Sequence, residues 1–85
     1  MSRYDPLYRW LSAQPYQHVT LTLSATERIL SSPLPPSAWS YSAWWANEVP
    51  GSSRHVQCQA WMSAGWHAYP RLASGEVVFA KVLQK

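Results

Sequence analysis

The side chains that could carry reaction chemistry are few: one thiol, Cys58; three imidazoles, His18, His55 and His67; and four carboxylates, Asp5, Glu27, Glu48 and Glu76. A nucleophilic site needs a nucleophile, a base within hydrogen-bond reach and a third group that orients the base. Cys58 falls in the middle of an expected helix, away from the N-terminal turn where a thiolate is favoured, and no nucleophile motif surrounds it. The three histidines lie in separate elements and lack the i, i+4 spacing of a zinc-binding helix. A single cysteine excludes both an intramolecular disulfide framework and a multi-cysteine zinc site. The three glycines are isolated, so no phosphate-cradling loop can be built from them. The four carboxylates lie at expected element ends, where capping explains Asp5 and Glu27. These residues predict a protein that is not an enzyme and uses no metal and no cofactor.

A different chemistry is better supplied. Six Trp, five Tyr and one Phe stand in 85 residues, while charged residues make up 13% against about 25% in an ordinary domain. Eleven of these twelve aromatics carry an N–H or O–H and can sit half-buried with a working polar edge. Trp10, Trp45 and Trp66 are expected to fill the core. That leaves one or two of Trp39, Trp44 and Trp61 to present a face to solvent, as the candidate aromatic interface for stacking on a base or anchoring a protein partner. The net charge of +3 permits a nucleic-acid partner without demanding one. Arg54, His55, Gln57 and Gln59 share a segment expected to be helical; arginine reads guanine and glutamine reads adenine in the major groove. Arg71 and Lys81, further on, suit phosphate contacts. Only about three to five phosphates can be reached this way, which predicts weak binding by a monomer and a modest salt dependence.

The elements that must position these groups follow from the pattern. Asp5-Pro6 starts a helix over 6–13, with Asp5 as cap and Pro6 in the first turn, where its missing N–H costs nothing. Leu7 and Leu11 share one face, and Pro15 ends the run. His18 to Leu23 alternates strictly, with Val19, Leu21 and Leu23 on the buried side of a strand. Ser24-Ala25-Thr26-Glu27 fits a capping box and opens a helix over 25–31. Residues 32–37 are proline-rich and mark a bend, and Ala43-Trp44-Trp45-Ala46 reads as a short extended piece. A third helix over 53–64 turns Val56, Ala60 and Ala64 inward, with Trp61 at the edge of that arc. Its other face carries Arg54, His55, Cys58, Gln59 and Met62, and Gly65 stops it. Trp66–Leu72 and Glu76–Val82 form a hairpin around Ala73-Ser74-Gly75.

Three stretches, Tyr4-Asp-Pro-Leu-Tyr8, Leu34-Pro-Pro-Ser-Ala38 leading to Ala43-Trp-Trp-Ala-Asn47, and Gln59-Ala-Trp61 with Ala64-Gly-Trp66, carry a family resemblance. The chain resembles small, functionally uncharacterised bacterial and phage domains with YDPLY, LPxSA, AWWxN and QxxAWxxAGW motifs. The likeness covers most of the chain, and it implies a nucleic-acid or mobile-element context without a transferable activity. The chain departs from that pattern at Trp39-Ser-Tyr-Ser42, where relatives tend to carry basic residues.

The expected fold is one α+β domain spanning 1–85: a small winged-helix-like domain with three helices and a three-stranded antiparallel sheet, ordered α-β-α-(insert)-α-β-β. The insert is its chief misfit, because a helix-turn-helix turn takes only a few residues. The expected function is non-enzymatic nucleic-acid binding, DNA rather than RNA, through helix 53–64 and hairpin 66–82. The alternative is a protein-interaction module, a phage-type inhibitor or adaptor or a homodimer, docking through exposed Trp and Tyr. No apolar run approaches the ~18 residues of a membrane span, the first residues lack a signal-peptide core, and the single cysteine fits a reducing compartment. A cytoplasmic protein without a membrane partner is expected.

Overall fold

The computed structural model describes residues 3–48 and 57–82. Helix α1 (Asp5–Ser12) comes first, then strand β1 (His18–Thr22), helix α2 (Leu23–Leu30) and the short helix α3 (Pro36–Ser40). A 3-10 turn at Ser42–Trp45, helix α4 (Gln57–Ser63) and strands β2 (Trp66–Arg71) and β3 (Glu76–Lys81), joined by a second 3-10 turn at Leu72–Ser74, complete it. The class is α+β, with four α-helices and one three-stranded antiparallel sheet in the order β1-β3-β2.

Local chemistry explains the elements and corrects several expected boundaries. Tyr4, not Asp5, occupies the cap position of α1. Its carbonyl accepts from the N–H groups of Leu7 and Tyr8, and Asp5 sits inside the first turn, where a negative charge favours the helix dipole. Strand β1 runs into α2 with no loop between them. The backbone N–H of Leu23 still bonds Gly75 across the sheet at 2.9 Å, so Thr22 is the last extended residue and takes the cap. Its Oγ1 accepts from Ala25 N–H at 2.9 Å, and the buried Thr26 hydroxyl donates to the Thr22 carbonyl at 3.0 Å. Ser24 lies inside the helix, exposed. Glu27 does not reach back either: its Oε2 accepts from Leu34 N–H at 2.7 Å and pins the proline-rich bend to α2.

Residues 42–45 form a 3-10 turn where an extended piece was expected. The Trp45 indole donates to the Ala38 carbonyl at 2.9 Å, which folds the chain back over α3. At the far end, Gly65 (φ +89) turns the chain from α4 into β2, and Gly75 (φ +66) turns β2 into β3. An added Cβ would meet nothing within 4 Å at either glycine, so the left-handed backbone, not a lack of space, calls for glycine there.

The register separates two faces. Val19–Phe79–Ala68 and Leu21–Val77–Pro70 are aligned across the three strands; Val77, Phe79 and Ala68 are buried, and α1, α2 and α4 pack over this inner face. The alternate rows, His18–Ala80–His67, Thr20–Val78–Tyr69 and Thr22–Glu76–Arg71, lie on the other face. No described element covers that outer face, and His18, Thr20, Thr22, Tyr69 and Arg71 are exposed on it.

The cap assignment can be tested directly. Thr22→Ala is expected to lower stability by about 1 kcal/mol, whereas Ser24→Ala should change it by less than about 0.5 kcal/mol. Urea melts of the two variants check this, and the reverse ranking would restore Ser24 as the cap.

Candidate functional site

Helix α4 and the hairpin place the expected contact residues in very different surroundings. Arg54 and His55 lie outside the described residues. Gln57 does not face solvent: it is 5% exposed, and its Nε2 donates to the Trp44 carbonyl at 3.0 Å. Cys58, expected on the polar face, is buried, with its Sγ 3.9 Å from the Glu48 carbonyl. Helix α4 is wedged between the Trp44–Trp45 turn and the sheet, so it buries Gln57, Cys58, Ala60 and Trp61, a wider arc than one narrow stripe. Gln59 and Ser63 are its exposed residues. Neither is charged.

The two hairpin cations are not brought together. Arg71 pairs in register with Glu76, and Lys81 pairs with Trp66 at the opposite end of the hairpin, five residues or about 17 Å along the strand. They also point to opposite faces. Lys81 Nζ lies 5.4 Å from the centre of the Trp66 ring on the inner side, a cation–π contact, and is half-buried. Arg71 is exposed on the outer face and makes no hydrogen bond or ion pair with any described residue.

Of the three candidates for a solvent-facing tryptophan, Trp39 is exposed, at 42%. Trp61 is fully buried: its ring stacks on Trp45 at 5.5 Å with 26° between planes, and its Nε1–H donates to Asn47 Oδ1 at 2.9 Å. Trp44 is half-buried, edge-on to Trp45 at 4.6 Å and to Tyr4 at 6.0 Å. Each indole can bury its ring because its neighbours are themselves aromatic. Trp45 and Trp66 are buried as expected, while Trp10 packs half-buried against the core.

The outer face of the sheet holds the arrangement with most chemical potential. His18, Tyr69, Pro70, Arg71, Val78 and Ala80 line a shallow groove of about 450 Å³. Its floor is the central strand, where Val78 and Ala80 are small. Its walls are His18 on β1 and Tyr69 on β2; Tyr69 is 52% exposed, and His67 meets it edge-on at 6.4 Å. Arg71 follows Tyr69 on the same face. The groove therefore offers an apolar floor, a free aromatic face and an unpaired cation. Sequence reasoning found Arg71 but missed Tyr69 and His18. The signal for Tyr69 was present: with Trp66 in the core, period 2 sends His67, Tyr69 and Arg71 to the other side. His18 needed the β1–β3 register. Among the described residues, no three His, Cys, Asp or Glu side chains come together to hold a metal ion, and no helix is long and apolar enough to cross a membrane.

Asn47 also escaped notice as a working residue. Its Oδ1 accepts from Ala68 N–H at 2.8 Å as well as from Trp61, and its Nδ2 donates to the Ala68 carbonyl at 2.9 Å. One carboxamide thus holds β2, and with it the groove wall, against α4. Asn47→Ala leaves three polar groups without partners and is expected to cost about 2–4 kcal/mol. Denaturant melts read this; a loss under about 1 kcal/mol would show that water replaces the carboxamide.

Comparisons with known proteins fit a domain of unassigned activity. No curated protein and no solved structure matches the chain. The family model described as Domain of unknown function (DUF7662) matches residues 4–82, and the chain belongs to that family.

Proposed function

We propose that the domain is a non-enzymatic nucleic-acid-binding module, for DNA rather than RNA, that makes contact through the outer face of hairpin β2–β3. The observation that carries the reading is Arg71: an exposed guanidinium with no hydrogen bond or ion pair to any described residue, at the end of a groove walled by an exposed tyrosine. An unpaired arginine beside an open aromatic face suits a phosphate and its base. The chain order, and a sheet ordered β1-β3-β2 with a two-stranded hairpin at its edge, are compatible with a winged-helix-like design in which the hairpin is the wing. Helix α4 plays a smaller part here than the element order suggests, because Gln57 is committed to the Trp44 carbonyl. The resemblance to phage and bacterial domains in a mobile-element context points the same way.

Titration of labelled DNA at low salt tests this. Binding in the tens of micromolar is expected, with Arg71→Ala weakening it and lowering the salt slope by about one unit, and Gln59→Ala leaving it unchanged. No binding at tens of micromolar protein, or binding indifferent to Arg71→Ala, would sink the proposal. Loss on Gln59→Ala alone would move the contact back to the helix.

A second reading, a protein-interaction surface, draws on Trp39 and Tyr41, 42% and 66% exposed at the end of α3. Paired exposed aromatics with few nearby charges resemble the anchors of an interface. If the partner is a second copy, light scattering shows a dimer that survives high salt and that Trp39→Ser returns to monomer; a strict monomer removes the homodimer variant.

A further inference from the structure

We infer that the outer-face groove takes a base of an unpaired strand, so that the domain selects single-stranded over duplex DNA. This rests on the nucleic-acid reading above and names its substrate class. The groove is one side chain deep: Val78 and Ala80 form its floor, and His18 and Tyr69 stand on the flanking strands. The backbones of β1 and β2 are two strand spacings apart, about 9–10 Å, which leaves room for one planar ring against Tyr69. Arg71 is two residues beyond Tyr69 on the same face, about 7 Å along the strand. A phosphate flanking the stacked base comes within its reach, and the unpaired guanidinium is the charge complement of that phosphate.

A duplex cannot use this site. Its bases are stacked on one another and show only their edges in the grooves, so no π-face is free to lie on Tyr69. The usual duplex reader, a helix entering the major groove, is poorly equipped here, since α4 exposes Gln59 and Ser63 and no charge among its described residues. Charge is also sparse on the outer face itself. Glu76 stands directly across from Arg71 in the register, half-buried, and offsets part of its field. Affinity must therefore come mainly from stacking, which is tolerant of sequence because every base has a π-face.

The test is fluorescence anisotropy with a labelled oligothymidylate, the same strand annealed to oligodeoxyadenylate, and free thymidine monophosphate as competitor. The single strand is expected to bind about ten-fold or more tighter than the duplex, with Tyr69→Ala losing about ten-fold of that affinity and Tyr69→Phe keeping it within about two-fold. Free nucleotide should compete only weakly, because it lacks the neighbouring units of the strand. Ala80→Leu fills the floor from the central strand and should reproduce the Tyr69→Ala loss, so the outcome does not hang on one variant. Equal binding of duplex and single strand, or an Arg71-dependent affinity untouched by Tyr69→Ala and Ala80→Leu, overturns the single-strand inference while nucleic-acid binding stands. Failure of every DNA probe to bind removes both.

Discussion

The structure depends on one carboxamide. In an antiparallel pair, residues alternately turn their backbone groups toward and away from the neighbouring strand. The Val82 N–H bonds the Gly65 carbonyl, so in β2 the groups of Trp66, Ala68 and Pro70 point away from β3, along an edge with no strand beside it. Pro70 has no N–H to leave unpaired. Ala68 has both an N–H and a carbonyl, and Asn47 bonds both, supplying locally what a fourth strand would. The same Oδ1 fixes the Trp61 indole, and Trp61 stacks on Trp45, whose own N–H is held by Ala38. One amide thus joins the sheet edge, α4 and the turn at residues 42–45. Buried polar groups need partners, and here each partner also sets the orientation of a large ring.

That arrangement explains how a chain with so little charge stays specific. Ion pairs play no visible part in holding the described elements together. The polar edges of Trp45 and Trp61 do the orienting, and their faces supply the apolar burial that a chain of this size needs. Trp66 is the exception: its Nε1–H is buried with no hydrogen-bond partner among the described residues. An unmet donor of this kind costs about 1–3 kcal/mol, and the Lys81 ammonium near the ring offsets part of that by cation–π attraction.

Much of the fold was legible because its signals are local. Period 2 in His18–Leu23 and in the hairpin marked the strands and put Val19 and Leu21 on one face, although Leu23, read with them, begins the helix. Pro6, Pro15, Gly65 and Gly75 punctuated the elements. The insert was not legible, because what shapes it is not local: Asn47 meets Ala68 twenty-one residues away, and Glu27 meets Leu34 across the bend. No propensity or spacing encodes such pairings. The exchange of Ser24 for Thr22 as cap has a similar cause. Both residue types cap helices well, and the choice was made by the ladder to Gly75, which keeps Thr22 extended. At the candidate site, Arg71 could be read from its type alone, and Tyr69 from strand parity once Trp66 was assigned to the core. His18 could not, since its place opposite Ala80 follows only from the pairing of β1 with β3.

The bare sheet face follows from size. The helices of this chain suffice to cover one side of three strands, and an antiparallel sheet tolerates solvent on the other. What such a face requires is only polarity, and lysine, glutamate and threonine would provide it. The strands carry Thr20, Thr22 and Glu76 on this face, and beside them histidine and tyrosine on the flanks and Val78 and Ala80 at the centre. Large flanks over a small centre make the face concave, and exposed tyrosine adds apolar area that solubility alone does not ask for. Arg71 beside it is exposed and makes no hydrogen bond or ion pair with any described residue. In the proposed reading, these are the residues that meet the nucleic acid. The helix, by contrast, has given Gln57 and Trp61 to the core, and a residue that already holds the fold together is poorly placed to read a partner as well.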